Sequence, residues 1–352
     1  MKILGIETSC DETAAAVVTD DRVILSNIVR SQLDEHAPYG GIVPEIAARA
    51  HVSTLDYIIT RAMTSAKVEY EELDGVAATA GPGLIGGVIV GVMTAKAIAL
   101  ARNIPFLAIN HLEGHALTAR LTDDIHFPYL LLLVSGGHTQ ILIVEDVGCY
   151  KRLGTTIDDA IGEAFDKTAR MLGLGYPGGP AVEEAAKKGE LGKFILPRPL
   201  KGRNGCNFSF SGLKTAIRST IEKLPEGKLS KSNIRNLSLE FQTAVSDVIG
   251  DRVSNAVSEY KNLYPKGETL VIAGGVAANL SIRERLSHIA EVKGLRFIAP
   301  PQNLCTDNAA MIAWAGVERL KQKLIDDLDF SPKPRWPLDA DAPSMPYAGV
   351  KS

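Results

Sequence analysis

Residues 2–19 read KILGIETSCDETAAAVVT, in which two apolar runs flank the polar segment TSCDE. Such runs predict β-strands, and the short polar connection predicts that they form a hairpin. The pattern returns at residues 129–146, YLLLLVSGGHTQILIVED, where SGGH separates two further apolar runs. This repeated hairpin decides the fold, because it predicts two halves that begin in the same way.

Each hairpin is followed by a third strand and then by alternating helices and strands. In the first half, RVILSNIV, LDGVAATA and PFLAIN predict strands, and VPEIAARAHVSTLDYIITRAM and VIVGVMTAKAIALAR predict helices. In the second half, CYKRLGTT, ETLVIAGGV and LRFIAP predict strands, and AIGEAFDKTARMLG, AANLSIRERLSHIA and DNAAMIAWAGVERLKQ predict helices. The order predicts a duplicated α/β fold, with two lobes of βββαβα type around a central cleft.

The chain has 352 residues, of which 45% are apolar, and this size predicts two domains. We expect an N-terminal lobe at 1–110, completed by a closing helix near 307–323. A C-terminal lobe at 111–306 would carry the metal and nucleotide loops described below, and an irregular Pro-rich tail would occupy 324–352.

The formal net charge of −3 excludes binding of nucleic acid through a global positive charge, so that such binding needs a local patch. Glu7 and Asp11 interrupt the region where a signal peptide has its apolar core. The longest apolar runs look too short to span a bilayer, which predicts a cytoplasmic protein without a membrane partner. Four cysteines without a CxxC pair support neither a zinc knuckle nor a disulfide framework.

The segment NHLEGHA at 110–116 places His111 and His115 four residues apart, after a predicted strand. Residues at this spacing share a helix face, so both imidazoles can reach one ion. A zincin places its glutamate directly after the first histidine, as the general base. Here Glu113 lies two positions on, about 200° around the helix from His111. The spacing therefore disfavours a metallopeptidase, while a structural histidine pair remains the alternative to a metal site.

Three polar turns follow predicted strands. The first holds Thr8, Ser9, Asp11 and Glu12, the second is Ser135-Gly136-Gly137-His138, and the third is Gly274-Gly275 with Asn279 at the start of a helix. Glycines at strand ends let backbone amides approach a ligand, and successive N–H groups bind anions. One Gly-Gly turn is more often structural. Three turns at matching places predict a nucleotide site where the loops gather.

These turns resemble the phosphate-1, phosphate-2 and adenosine loops of the actin–hexokinase–Hsp70 superfamily, whose fold is ribonuclease H-like. More narrowly, eight segments together resemble the TsaD family of tRNA N6-adenosine threonylcarbamoyltransferases, once described as O-sialoglycoprotein endopeptidases. The segments are GIETSCDET, HAPYGGIVPEIAARAH, NHLEGHA, LLLVSGGHT, YPGGP, FSFSGLKT, GGVAAN and CTDNAAMIA. The resemblance runs from residue 3 to about residue 320. In the first loop, TSCDE replaces the Asp-x-Gly of sugar kinases and actin, which disfavours kinase activity.

The resemblance implies an acyltransferase that moves the threonylcarbamoyl group of threonylcarbamoyl-AMP to a tRNA. The acceptor would be the N6 amine of the adenosine immediately 3′ of the anticodon in tRNAs that read ANN codons, and the product t6A. The resemblance adds Asp307 to His111 and His115 as metal ligands. Two histidines and one carboxylate suit a divalent ion with open coordination positions, Fe(II) being favoured over Zn(II) or Mg(II).

The resemblance also implies the substrate contacts. We expect the donor to meet Val134, Ser135, Gly136, Gly137, His138, Asp166, Gly179, Glu183 and Asn279. Asp166 and Glu183 would hold ribose hydroxyls, Gly179 would lie against the ribose or base, and Asn279 would contact the adenine or phosphate edge. Asp11 and Glu12 are the candidates for deprotonating or orienting the tRNA amine, and a solvated turn is the alternative.

The implied partners are tRNA, a TsaB-like paralogue and a TsaE-like ATPase. The predicted helix VPEIAARAHVSTLDYIITRAM has an apolar stripe broad enough to form the contact with the paralogue. For tRNA, the stretch 187–223 has nine basic residues against two acids. Phe208 and Phe210 lie among them and are predicted to stack on bases. The alternative is a solvated surface over two core phenylalanines.

Two other functions compete. An ATP-hydrolysing protein of the Hsp70 or kinase type could use the same nucleotide loops, and a metallopeptidase ranks third. A kinase would need a catalytic aspartate near a sugar pocket in the second half, where we find no candidate. A chaperone would need a peptide-binding domain, for which the residues after 330 are too few.

Overall fold

The computed structural model of the protein describes residues 1–39, 41–225 and 229–343. The strands are Lys2–Glu7 (β1), Glu12–Thr19 (β2), Ile24–Ser31 (β3), Gly75–Gly81 (β4), Phe106–Asn110 (β5), Tyr129–Val134 (β6), Thr139–Asp146 (β7), Cys149–Thr155 (β8), Thr269–Ala273 (β9) and Arg296–Ile298 (β10). The α-helices are Leu33–His36 (α1), Pro44–Ala66 (α2), Ile85–Arg102 (α3), His111–Thr122 (α4), Ile161–Leu172 (α5), Gly178–Ala186 (α6), Ser211–Glu222 (α7), Lys231–Leu263 (α8), Leu280–Val292 (α9) and Ala309–Lys321 (α10).

The strands form two five-stranded sheets of the same plan. The first has the order β3-β2-β1-β4-β5 and the second, read in the same sense, β8-β7-β6-β9-β10. In each sheet the first strand is antiparallel to its hairpin partner, as β1 is to β2 and β6 to β7. Its other neighbour is parallel, β4 in the first sheet and β9 in the second. The predicted duplication of the α/β fold is confirmed.

The chain divides into two compact units. The first comprises Met1–Ile125, Val147–Cys149 and Thr306–Ala340, and the second comprises His126–Asp146, Tyr150–Cys305 and residues 341–343. The first unit therefore extends beyond the expected limit at residue 110 and includes α4. The physical reason is close packing of α4 on α10, because a Cβ on Gly114 would lie 2.8 Å from Cδ1 of Ile312.

The expected tail is part of the same unit as far as Ala340. The described residues from 331 to 343 form neither helix nor strand, as predicted for this Pro-rich stretch. They are nevertheless anchored, since the backbone N–H of Lys333 donates to the carbonyl of Ala80 over 2.7 Å. Slightly earlier, the carboxylate of Asp326 accepts from the N–H of Ala108 over 2.9 Å.

In the first unit, alternate residues of β1 serve two packing layers, as the pleat of a strand requires. Leu4 and Ile6 belong to the apolar core formed with α2 and α3. On the opposite face, Gly5 lies against α10, where a Cβ would meet the carbonyl oxygen of Ala309 at 2.4 Å. Helix α10 thus fits against the centre of the sheet only because residue 5 is glycine.

Helix α3 departs from one expectation. By length and composition it could cross a membrane, whereas the apolar runs had been expected to be too short. Val88, Val92, Ala95 and Ala99 of α3 are buried in the core of the first unit. Because core helices pass the same test of length and composition, this one helix is weak evidence for a membrane span.

The second unit contains α6, α7 and the 33-residue α8, which the sequence analysis did not predict. The buried face of α8 includes polar residues, and these interrupt the apolar periodicity from which a helix is predicted. Several of them are paired: Asn236 accepts from the N–H of Glu190, and Glu240 accepts from that of Gly192. Arg252 donates to the carbonyl of Gly205 over 3.0 Å.

Candidate metal centre and nucleotide site

The three predicted metal ligands lie together in the first unit. The ligand atoms of His111, His115 and Asp307 are all within 4.8 Å of one another. Nε2 of His115 is 3.1 Å from Oδ1 of Asp307, and Nε2 of His111 is 3.5 Å from the same oxygen. Both histidines are buried. Two imidazole nitrogens and one carboxylate oxygen converging in this way are a donor set suited to a divalent transition metal.

The starts of two helices position these ligands. Helix α4 begins at His111, and the side chain of Asn110 caps it by accepting from the N–H of Leu112 over 2.9 Å. Helix α10 is capped by Asn308, whose side chain accepts from the N–H of Met311 over 3.1 Å. An N-cap side chain fixes the local backbone by pairing an amide that the helix leaves unpaired. Each asparagine is adjacent in sequence to a predicted metal ligand, so each cap fixes the backbone beside one.

Glu7, at the end of β1, is a member of the site that the sequence analysis missed. Its side chain is fully buried, and Oε2 lies 2.9 Å from Nδ1 of His111. The same oxygen accepts from Oγ1 of Thr79, and Oε1 accepts from the N–H of Ser9, each over 2.5 Å. Metal-binding histidines commonly donate their second ring N–H to a carboxylate, which fixes the tautomer and the ring orientation. Glu7 thereby leaves Nε2 of His111 as the ligand atom facing Asp307.

The site concentrates negative charge. Burial raises the pKa of Glu12 to about 10, and the charges of Asp307 and Asp11 add to this effect. Burial alone would lower the pKa of His111, but Asp307 and Glu7 raise it well above its usual value. Burial alone would raise the pKa of Asp307, yet the two imidazoles lower it. Carboxylates crowded in this way stabilise a cation placed among them.

The two predicted catalytic residues lie at the hairpin tip between β1 and β2, in the same unit. Asp11 is 8% exposed, and Glu12 is partly buried. The solvated turn considered as an alternative does not fit this burial. Their part in catalysis stays a prediction.

Glu113 faces away from the ligands. It is 1% exposed and pairs with Arg319 over 3.1 Å. This agrees with the predicted position of Glu113, about 200° around the helix from His111. Its partner, Arg319, lies on α10. A peptidase arrangement, with this carboxylate as the base beside the ion, does not form.

In the second unit, the turn from Ser135 to His138 is compact and carries two open glycines. The N–H of Ser135 donates to the carbonyl of His138 over 2.8 Å, and the N–H of His138 donates to Oγ of Ser135 over 3.1 Å. A Cβ on Gly136 or Gly137 would meet no protein atom within 4 Å. The backbone of these two glycines is therefore accessible to a ligand, as an anion-binding turn requires.

Consecutive contacts link the other predicted substrate residues to this turn. A Cβ on Gly162, in the first turn of α5, would lie 2.7 Å from Cα of Gly136. Further along α5, Asp166 accepts from the N–H of Gly178 over 2.7 Å, which joins α5 to α6. Glu183 of α6 accepts from the N–H of Leu280 over 2.8 Å, which joins α6 to α9.

These contacts form a ring, which closes where the residue after β9 lies against the end of β6. Gly274 has a positive φ of 93°, and a Cβ there would lie 2.4 Å from the carbonyl oxygen of Val134. Val134 itself is fully buried in the core, so only its backbone can face a ligand. Asn279 is 6% exposed and caps α9, with Oδ1 accepting from Ile282 and Nδ2 donating to Gln242. The side chains of Val134 and Asn279 are thus buried and serve the fold.

The predicted tRNA-binding stretch 187–223 divides into two parts. Phe208 and Phe210 are fully buried and stack on each other at 5.8 Å, so the prediction that they stack on bases is wrong. Alternating with the half-buried polar residues Asn207 and Ser209, they belong to the core of the second unit. The basic side chains are mostly exposed, and Lys187, Lys193 and Arg218 pair with glutamates of the same surface.

Asp158 is a further residue that the sequence analysis missed. Burial alone would raise its pKa, but hydrogen bonds from Ser209, Phe210 and Ser211 lower it. These bonds hold the start of α7, in the FSFSGLKT segment. A serine-rich segment that opens a helix was the available signal, since such a segment needs an acceptor for its amides and hydroxyls.

Comparisons with known proteins agree with this geometry. The family model described as TsaD, tRNA N6-adenosine threonylcarbamoyltransferase, matches residues 23–314. Two curated proteins with this name come from Paramagnetospirillum magneticum and Rhodospirillum rubrum. The first is 64% identical over 342 residues, covering 97% of this chain and 98% of the relative. The second is 60% identical over 353 residues, covering 99% and 98%.

Solved structures share the fold at low sequence identity. HypF of T. kodakarensis has a TM-score of 0.58 at 15% identity, covering 91% of this chain and 48% of HypF. The activator of 2-hydroxyisocaproyl-CoA dehydratase from Clostridium difficile, with bound ADPNP, has a TM-score of 0.52 at 14% identity, covering 93% and 99%. The predicted actin–hexokinase–Hsp70 fold class is confirmed.

Proposed function

Since this chain belongs to the TsaD family of tRNA N6-adenosine threonylcarbamoyltransferases, we propose that it forms t6A from threonylcarbamoyl-AMP and tRNA. The N6 amine of the adenosine 3′ of the anticodon attacks the carbamoyl carbon of the donor. A C–N bond forms, the bond from that carbon to the phosphate oxygen breaks, AMP leaves, and N6 loses a proton. The amine attacks directly, so no nucleophilic side chain is needed. The single observation that carries this proposal is the convergence of His111, His115 and Asp307 in a chain of this family.

A divalent ion would be held by His111, His115 and Asp307, with Glu7 orienting the first of them. When bound, it supplies a Lewis acid that polarises an oxygen of the donor. Iron(II) is the ion that we propose, and Zn(II) is the alternative that suits the same ligands. Mg(II) suits them least, because it prefers oxygen ligands in a regular octahedron.

The donor adenylate would lie against the ring of contacts in the second unit. Gly136, Gly137 and Gly179 all have open space where a side chain would begin, so their backbone can approach phosphate or ribose. Asp166 and Glu183 are each held in place by the N–H of a helix start. Carboxylates fixed in this way are suited to accept hydrogen bonds from ribose hydroxyls.

The hairpin tip of the first unit would handle the proton of the amine. A carboxylate with a raised pKa is a stronger base, and the pKa of Glu12 is raised to about 10 by burial and by neighbouring acids. Beside a bound cation this pKa would fall, so that Glu12 could ionise near neutral pH. Asp11 would then orient the amine from the adjacent position.

Two further proposals concern partners and location. Large apolar side chains are exposed on α2 and α3, namely Val52, Tyr57, Ile89 and Met93. We propose that this face binds a TsaB-like paralogue, that a TsaE-like ATPase joins the complex, and that the complex acts in the cytoplasm, where its tRNA substrate is found. Replacing Met93 by Asp should abolish co-elution with the paralogue, whereas unchanged co-elution would exclude this face.

The function is tested with an unmodified tRNA transcript, threonylcarbamoyl-AMP and the purified protein with both proposed partners. We expect t6A to accumulate together with AMP in equal amounts. If t6A is absent under conditions where a relative with this activity forms it, the proposal is wrong. ATP hydrolysis by the isolated chain, in place of t6A formation, would favour the kinase- or Hsp70-like alternative.

A further inference from the structure

The segment HAPYGGIVPEIAARAH begins with His36 and ends with His51, and neither is among the metal ligands. Both side chains are fully buried, as are those of Thr13 and Gln32 nearby. Polar groups removed from water cost free energy unless they are hydrogen-bonded. The hydrogen bonds among these four side chains therefore have to be mutually compatible.

The direction of the bonds at His36 follows from its backbone partner. The N–H of Val43 can only donate, and it lies 3.3 Å from Nδ1 of His36. In a neutral imidazole the other nitrogen then carries the hydrogen, so Nε2 donates to Oε1 of Gln32 over 3.2 Å. This orients the amide of Gln32, whose Nε2 donates to Oγ1 of Thr13 over 3.3 Å.

The direction at His51 follows in the same way. The carbonyl of Cys10 can only accept, and it lies 3.0 Å from Nε2 of His51, which therefore donates. Nδ1 is then the acceptor for Oγ1 of Thr13 at 2.8 Å, and Nε2 of Gln32 lies 3.3 Å from the same nitrogen. Gln32 Nε2 is also 3.5 Å from Nε2 of His51. Each step of the chain from Val43 through His36, Gln32, Thr13 and His51 to Cys10 pairs one donor with one acceptor when both rings are neutral and carry their hydrogen on Nε2. Burial lowers the pKa of His51, which favours the neutral ring.

The result is one continuous chain of hydrogen bonds from Val43, just before α2, to the carbonyl of Cys10 at the hairpin tip. A second bond reinforces its end, since the N–H of Gln32 donates to the carbonyl of Asp11 over 2.9 Å. The ring of His51 has little room to turn, because a Cβ on Gly87 would already lie 3.0 Å from its Cδ2. Two consecutive carbonyls of the tip are thus held from one buried network.

We propose that His36, Gln32, Thr13 and His51 are positioning residues that hold the tip, and with it the carboxylates of Asp11 and Glu12, in the geometry that the transfer needs. None of the four touches the reacting atoms in this proposal, so each acts through the tip. The effect on rate rests on the proposed function, whereas the tautomers and the rigidity of the tip do not. Misplacing a catalytic group by about 1 Å can cost on the order of 100-fold in rate.

The first test is the tautomer of each ring, read from ¹⁵N resonances of protein labelled at its histidines. Each neutral ring should show one protonated and one unprotonated nitrogen, with the hydrogen on Nε2, and His36→Gln and His51→Gln variants assign the signals. A ring of His51 that is protonated on both nitrogens at neutral pH, or on Nδ1 alone, would overturn the chain. This measurement does not depend on catalysis.

The second test is the rigidity of the tip, for which Cys10 provides a probe. The exposed Cys149 is first replaced by serine, and the remaining thiols, Cys206 and Cys305, are buried. His51→Ala should make Cys10 react with a disulfide reagent about tenfold faster, because the tip then opens more often. Leu55→Ala is the matched control, one turn further along the buried face of α2, and should change the rate less than about twofold. Equal rates in the two variants would refute a role for His51 at the tip.

The third test separates the positioning role from the proposed function. His51→Ala should lower kcat for t6A formation by about tenfold with little change in the KM of the donor, and His51→Gln, which retains a donor for Cys10, should recover part of the loss. Thr13→Val breaks the chain without leaving a cavity and should act in the same direction. If the unsubstituted protein forms t6A and none of the three substitutions lowers its rate, the positioning role is contradicted. A parent without t6A activity but with the expected tautomers would contradict only the proposed function.

Discussion

The two hairpin tips of the duplicated fold occupy equivalent places and differ in almost every property. The tip between β1 and β2 carries carboxylates, is largely buried and has two carbonyls held by Gln32 and His51. The tip between β6 and β7 carries Gly136 and Gly137, which are exposed and have open space at the Cβ positions. The same backbone plan therefore supplies one rigid acidic loop, suited to cation and proton chemistry, and one bare loop, suited to anions.

The largest effect should come from removing the carboxylate of Asp307, which belongs to the proposed metal site of the first unit. Asp307→Ala leaves two imidazoles without their shared acid, and we expect metal affinity to fall by at least about 100-fold, with loss of t6A formation. Elemental analysis of the purified protein and titration with Fe(II) or Zn(II) measure this. Glu113→Gln is the control, because Glu113 is a buried carboxylate on α4 that faces Arg319. Retained affinity in the aspartate variant would show that the ligand set is misassigned.

A smaller effect should follow at the residue that orients His111. Glu7→Gln keeps the shape of the side chain and removes its charge, and partners of this kind contribute about 10- to 100-fold to metal affinity. The same titrations provide the measurement. A loss no larger than that of Glu113→Gln would mean that the short contact between Glu7 and His111 serves the fold alone.

A substitution in the tip between β6 and β7 should weaken donor binding and leave metal binding unchanged. Gly137→Val puts a side chain where the protein leaves space, so the melting temperature should change little while the donor KM rises about tenfold. Metal content should stay the same. Gly212→Ala on α7, where a Cβ meets only Pro199 at 4.0 Å, is the control outside the site. If the KM of the donor is the same in both variants, this tip does not bind the donor.

The smallest effect is on stability and concerns the acidic tip only. The pKa of Glu12 is raised to about 10 by burial and by nearby acids, so the folded state binds a proton that the unfolded state releases above its ordinary pKa. Unfolding free energy should therefore fall as pH rises between these two values. In chelator-treated protein, Glu12→Gln should flatten this slope, by a few degrees in melting temperature at most. Gly137→Val should leave the slope unchanged. A steeper slope in Glu12→Gln would mean that Glu12 makes the opposite contribution to the pH dependence of stability, and would contradict the prediction.

Sequence patterns predicted those features that local spacing determines. Hairpins could be predicted because apolar runs flank polar tips. The pairing of His111 with His115 could be predicted because the two lie one helical turn apart. Glu7 and His51 were missed, since their partners are 104 and 41 residues away in sequence. Helix α8 was missed because buried polar side chains break its apolar period. Phe208 was misread because its basic neighbours suggested a surface.

The first unit is discontinuous in sequence, and this has a consequence for how the protein is made. His111 and His115 leave the ribosome early. Asp307, α10 and the segment at Lys333 that bonds to Ala80 follow only after nearly all of the second unit has been synthesised. Since domains tend to fold as they emerge, the second unit can mature first, while the β1 face that receives α10 waits uncovered. Nascent chains interrupted before residue 306 would thus contain a folded second unit and an incomplete metal site. A metal ion would be captured only by polypeptides that extend beyond Asp307.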